Sequence, residues 1–194
     1  MPAGGGESPG RKPRADAQRN RAHLLDVAKS AFAEKGSAAS LDEIARRAGV
    51  GIGTLYRHFP TRDALIEAVY RNEVEQLGEA ASRLAAECPP VEALRAWLLL
   101  FVEYLGTKRG MSEALDSLVG GASELRAASG EMVKRSVAML AGRASGELRL
   151  DFDPLDLLRA LAGVANMGSG PDWRRSAGRL VDVLIAGLRA DEAG

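Results

Sequence analysis

An all-α fold is predicted for this chain, and three features of the sequence predict it. Ala, Leu, Arg and Glu dominate the 194 residues, and aromatics make up only 5% although 46% are apolar, a balance that suits helices better than strands. Apolar residues recur at spacings of three and four along most of the chain. Glycines, prolines and Ser, Thr or Asp residues then fall at the ends of those periodic runs, where helices start and stop. About nine helices are expected.

Residues 1–14 mix Gly, Pro and Arg without periodicity and are expected to form a disordered basic tail. Arg11, Lys12 and Arg14 suit either an arm reaching a nucleic-acid backbone or a solvated end. The first helix is predicted over Ala15 to Lys35, with Leu24, Val27, Ala28, Ala31 and Phe32 on one face, and Gly36 placed to stop it. Ser40-Leu41-Asp42-Glu43 then reads as a capping box opening a second helix, whose inner face is Leu41, Ile44, Ala45 and Ala48 and whose end is Gly49.

The stretch AGVGIGTLYRHF, Ala48 to Phe59, places glycines at 49, 51 and 53. A dinucleotide-binding loop requires GxGxxG directly after a strand, so neither the spacing nor the preceding helix fits that chemistry. A tight helix-to-helix turn fits better: Gly49 turns the chain, Val50 points inward, and Gly51 sits at the next N-cap. The short helix from Ile52 to Phe59 then buries Leu55 and Phe59 and turns Thr54, Tyr56, Arg57 and His58 outward, a shape suited to the DNA major groove.

Pro60 ends that helix and Thr61 caps a long one from Arg62 to Ala86, with Leu65, Ile66, Val69, Leu77 and Leu84 inside and Pro89-Pro90 beyond it. Further helices are predicted at 91–107, 111–118, 122–145, 154–167 and 173–189; Asp153-Pro154 and Asp172 are the cap signals for the last two. Three domains of the chain follow: the tail (1–14), a helix-turn-helix unit (15–60) and a helical body (61–194).

A formal net charge of zero hides an asymmetry. Between Gly10 and Arg62 there are 11 Lys/Arg against 5 Asp/Glu, a net +6, while from Asp63 onward 15 face 20, a net −5, and Glu7 supplies the last negative charge. A basic N-terminal third on an acidic body matches a nucleic-acid reader carrying a second domain with a different task. The lone Cys88 excludes an internal disulfide. No apolar run approaches the roughly 18 residues of a membrane span, and the N-terminus lacks a secretory h-region, so no membrane partner and a cytoplasmic location are expected.

The run SLDEIARRAGVGIGTLYRHFPTRDALIEAVY, within a stretch from about Leu24 to Val69, resembles the DNA-binding domain of the TetR/AcrR family of bacterial transcriptional regulators. That resemblance implies an N-terminal three-helix helix-turn-helix domain plus a C-terminal helical ligand-binding and dimerisation domain. It also implies a homodimer on double-stranded DNA with a palindromic operator. Ser40 matches a phosphate contact at a helix N-terminus; Thr54, Tyr56 and His58 match phosphate or base contacts; Arg62 matches a backbone anchor; and Ile52, Gly53 and Arg57 lie where sequence choice is tuned. Two departures are Ser37, where an aromatic is usual, and Gly51, where a Ser-type cap is common. The outer face of the second helix also carries Arg46 and Arg47, suited equally to solvent or to a backbone contact.

In the body, Trp97, Phe101, Tyr104, Met111, Leu115, Met132, Met139 and Asn166, with Met167 beside it, are candidates for an effector pocket, although ordinary core packing accounts for any one of them. Leu157, Leu158 and Leu161 with Leu180, Val181, Leu184 and Leu188 are candidates for a dimer interface, with Ala162, Ala177 and Gly178 permitting close approach. The expected function is a ligand-responsive regulator: a repressor released from its operator by a small, largely apolar effector of unknown identity. The alternative is a helical adaptor or an activator without small-molecule induction. An enzyme is not expected. His23 and His58 are the only histidines, both in the DNA-binding part, and no catalytic or metal-ligating motif or cofactor loop occurs.

Overall fold

A computed structural model describes residues 11–116, 118, 122–167 and 172–189. Nine α-helices lie among them: α1 (Arg11–Lys35), α2 (Leu41–Arg47), α3 (Ile52–His58), α4 (Arg62–Glu87), α5 (Pro90–Gly110), α6 (Ser112–Asp116), α7 (Ala122–Ala144), α8 (Leu155–Met167) and α9 (Trp173–Leu188). Residues 1–10 of the expected tail lie outside the described part. Arg11 to Arg14 belong to α1, which starts four residues earlier than expected; Pro13 falls in its first turn, where the missing N–H costs no helix bond.

Helices α1 to α3 bury Leu24, Phe32, Ile44 and Leu55 completely, and Phe59 nearly so. The turn between α2 and α3 is a Schellman closure: Gly49 N–H donates to Arg46 O at 3.2 Å and Val50 N–H to Ala45 O at 3.0 Å. It requires Gly49 at φ 67°, in the left-handed region. Gly51 is the N-cap of α3, with no side chain to close the cap. Only half of the expected capping box forms on α2. Ser40 Oγ accepts the Glu43 N–H at 3.2 Å, but the Glu43 carboxylate turns away to Lys35 Nζ at 2.7 Å and to Arg47 at 2.7 Å, two charges outbidding one amide. Those hydrogen bonds, the one from Lys35 first, hold the Glu43 carboxyl below the usual carboxylate range. The support that Lys35 and Arg47 give α2 is therefore present above that range and is lost as pH falls through the lowered value.

Helix α4 opens on Thr61, whose Oγ1 accepts the Ala64 N–H at 3.0 Å, and it is central to the molecule, packing on α1, α5 and α7. Its N-terminal half carries Leu65, Ile66 and Val69 into the core; further along, Val74, Leu77 and Ala81 do the same. Trp97 of α5 is fully buried and donates its indole N–H to Leu77 O at 2.9 Å, tying α5 to α4. Where the N-terminal unit meets the body the backbones come close. A Cβ at Gly110 would stand 2.9 Å from Ala33 Cα, and the hydroxyl of Ser37, the residue that departs from the family's usual aromatic, donates to Glu113 Oε2 at 3.2 Å. At α8, Asp153 Oδ1 accepts the Leu155 N–H at 3.0 Å as anticipated. Asp172 stands at the N-cap of α9 without a side-chain cap bond and instead faces Arg175 at 3.2 Å.

The two glycines of the turn region separate conformational need from mere space. Gly49→Ala should cost about 1–2 kcal/mol, because alanine must then occupy the left-handed region. Gly53→Ala, inside α3 with nothing near the added Cβ, should gain up to about 1 kcal/mol of helix propensity. Urea unfolding of the two variants, followed by circular dichroism, checks the opposite signs.

Candidate nucleic-acid interface

Helix α3 stands on a short turn with its inner side anchored and its outer side free. Leu55 and Phe59, buried, hold it; Tyr56 is 47% exposed, Ile52, Gly53 and Arg57 are exposed, and Thr54 and His58 are half-buried. All of the side chains expected to meet DNA from this helix therefore retain accessible surface, and nothing lies within 4 Å of a Cβ built at Gly51 or Gly53. Another backbone can come close there. Arg57 lies back along its own helix: Nη2 donates to Thr54 Oγ1 at 2.9 Å and Nε to Gly53 O at 3.3 Å. Such exposed bonds are weak, so the guanidinium is kept in reserve at the helix surface and exchanges readily for a base edge.

The basic residues around α3 divide into structural and available ones. Arg47 is occupied, with Nη1 on Glu34 at 2.7 Å and Nη2 on Glu43 at 2.7 Å, whereas the Arg46 side chain is exposed and has no ion pair or hydrogen bond among the described residues. Arg62, expected as a backbone anchor, also has a structural task. It donates to Ser37 O at 2.7 Å and to Ala39 O, and its guanidinium lies 5.3 Å from the centre of the Phe32 ring. Those contacts fasten the 3-10 turn at Gly36–Ala38 and so position Ser40, the N-cap of α2. Arg21 of α1 covers the Phe59 ring at 5.2 Å, a contact that periodicity does not reveal.

In the body, the residues expected to form a pocket disperse. Trp97, Met111 and Leu115 are ordinary core; Met132 packs its sulfur over Gly78; Met139, Asn166 and Met167 face solvent. Phe101 and Tyr104 alone of that set line a cavity of about 300 Å³ between α4, α5, α7 and α8. Tyr70, Ser129, Val133 and Leu155 complete its inner wall, along with Leu158, which was expected at a dimer interface. Single-helix periodicity missed them because the wall is assembled from four helices that are distant in sequence. The Tyr70 and Tyr104 hydroxyls meet at 3.0 Å, and burial pushes the Tyr104 pKa well up, so the hydroxyl stays protonated.

Part of the expected dimer stripe is turned inward. Leu157, Leu158, Leu161 and Val181 are buried within the protomer, and Leu180, Leu184 and Leu188 are partly so, because α5 runs beneath α9. Ala177 is buried as well. The outward surface carries a second register on each helix: Ala160, Gly163, Val164 and Met167 on α8, and Leu180, Val183, Leu184 and Gly187 on α9. Val183 is 65% and Met167 87% exposed.

A recognition-type helix standing clear on a Schellman turn, fused through one long helix to an α-helical body with a cavity, defines a helix-turn-helix DNA-binding regulator. Residues 24–69 match the family model described as bacterial regulatory proteins, tetR family, and residues 89–190 match the C-terminal domain of SbtR-like transcriptional regulators. The TetR transcriptional regulator SCO0520 of Streptomyces coelicolor is 45% identical, covering 88% of this chain and 99% of that one at a TM-score of 0.81. A TetR regulatory protein of Mycobacterium vanbaalenii is 35% identical, covering 91% and 99% at a TM-score of 0.75. The regulator AcrR of Shigella flexneri is 36% identical over 96 residues, 48% of this chain, and the match spans only 45% of AcrR's own length. The chain belongs to the TetR family of DNA-binding transcriptional regulators, a non-enzymatic class.

Two arginines thus carry distinct expectations. Arg57→Ala should weaken binding to a selected operator by about 1–3 kcal/mol and relax preference at one base pair, as seen by fluorescence anisotropy on operator variants. Arg62→Met should lower stability by about 1–3 kcal/mol, since it strips a donor from the buried Ala39 carbonyl, and should weaken binding to all sequences alike.

Proposed function

We propose that the protein is a homodimeric repressor, acting in the cytoplasm, that holds a palindromic operator through two copies of α3 and lets go when a small, largely apolar molecule enters the cavity beside Tyr70 and Tyr104. The observation that carries this reading is the outward face of α3, with Tyr56, Arg57 and Thr54 accessible on a helix whose inner face is fully anchored. In the proposal Ser40, Thr54, Tyr56 and His58 touch backbone or bases, and Ile52, Gly53 and Arg57 set sequence preference. A dimer that occupies successive major grooves excludes polymerase from an overlapping promoter, which makes repression the expected sign.

Coupling is supported by the position of α4. Tyr70 faces the cavity; one turn later Glu73, only 9% exposed, receives Lys29 of α1 at 2.6 Å. A ligand pressing on Tyr70 therefore acts on the helix that is ion-paired and packed against the DNA-binding unit. Ligand binding does this only through unequal affinity for two arrangements, and inverting a 99:1 preference takes about 5.5 kcal/mol. In this reading the dimer forms through the outward stripes of α8 and α9, Leu180 and Leu184 among them, rather than through Leu157, Leu158, Leu161 and Val181 beneath.

Selection of bound fragments from random DNA should return an inverted repeat with half-site centres about one helical turn or a multiple apart; asymmetric fragments would overturn the two-fold arrangement. Operator affinity should fall steeply with salt, as phosphate contacts require, whereas a helical adaptor held by apolar burial would barely respond. Val183→Arg should turn the dimer into a monomer in light scattering at micromolar concentration while leaving the helical content intact. A dimer that persists in this variant would place the interface elsewhere.

A further inference from the structure

Two cavities of about 300 Å³ flank Tyr104, and their charges differ. The one facing α1 is lined by Glu73, Glu79 and Glu103 together with Lys29 and Arg83, a mixed set. The one between α4, α5, α7 and α8 is lined by four cations, Lys108, Arg126, Lys134 and Arg159, and by no carboxylate. Its inner wall is apolar except for the tyrosine pair and Ser129. Three of the cations rest on acids outside the lining: Arg126 on Asp116, Lys134 on Glu131 at 2.8 Å, and Arg159 on Asp156 at 2.6 Å. These pairs are exposed and exchange easily for another anion. Lys108 has no ion pair among the described residues.

We infer that the molecule taken up by this cavity is an anionic amphiphile, an apolar body of roughly eight to ten carbon atoms bearing a carboxylate or similar acidic head held by Lys108 and Arg159. The inference rests on the reading of this cavity as the effector site and adds the charge and polarity of its ligand. The volume gives the scale of the part taken up: about 300 Å³ equals roughly ten water volumes at about 30 Å³ each, and the basic mouth leaves the head open to solvent. Inside, the hydroxyl pair makes one hydrogen bond to each other, so whichever oxygen accepts keeps a proton with no protein acceptor among the described residues. That spare donor favours a body carrying an oxygen over a bare alkyl chain.

Isothermal titration calorimetry of the full chain with octanoate, octanol and octylammonium tests the charge. Octanoate should bind at least about tenfold tighter than octanol, the margin that charge-assisted hydrogen bonds supply, and octylammonium should bind weakest. In a Lys108→Met/Arg159→Met variant the preference for octanoate over octanol should shrink to within about twofold while thermal unfolding stays cooperative. Should that variant not fold, the wild-type salt dependence decides: octanoate affinity falls with ionic strength and octanol affinity does not. Equal binding of acid and alcohol, tighter binding of the amine, or no octanoate binding by a protein that still holds its selected operator each overturns the inference and leaves the DNA-binding assignment intact. Octanoate binding that leaves operator affinity unchanged at saturation has a different meaning: it keeps the anionic site and overturns its role as effector site.

Discussion

Everything in this molecule depends on α4 running unbroken through one continuous core. Its 26 residues span about 39 Å at 1.5 Å per residue, with Gly78 as the sole glycine and no proline. Leu65, Ile66 and Val69 in its first half and Val74, Leu77 and Ala81 further along are all buried in the one cluster that joins the DNA-binding unit to the body. No hinge lies between these groups. The Lys29–Glu73 pair ties α4 to α1, and α5 comes close to α1 where Gly110 meets Ala33.

Against that rigid frame the reading helix is kept small and loosely decorated. α3 has seven residues and is too short to be stable alone; its conformation is imposed by buried Leu55 and Phe59 and by the glycine-dependent closure before it. The outward side chains carry little of the fold, which rests on the buried inner face. Arg57 makes only bonds within its own helix.

Charge is apportioned with the same economy. Near α2 the glutamates Glu34 and Glu43 occupy Arg47, and carbonyls occupy Arg62, so the positive potential left for a phosphate backbone comes from fewer residues than the net +6 of that segment suggests. In the body, basic side chains instead gather at the mouth of one cavity, and the acids that balance them stand outside it.

The sequence by itself determined where most helices lie, the Ser40 and Thr61 caps and the turn at Gly49, because these depend on neighbours within about four residues: periodicity, a Ser or Thr hydroxyl facing an amide, and one glycine able to adopt positive φ. It likewise indicated which side of α3 faces outward, since Leu55 and Phe59 leave only one orientation. Tertiary structure alone decided which neighbour covers each apolar stripe. Leu157, Leu158 and Leu161 of α8 and Val181 of α9 look like an interface in isolation and are core, with α5 packed against both helices. It also decided that Met111 is packed away while Phe101 and Tyr104 meet Tyr70 and four cations around a cavity. A cavity is the space left between helices distant in sequence, and no local spacing rule encodes where such helices fail to touch.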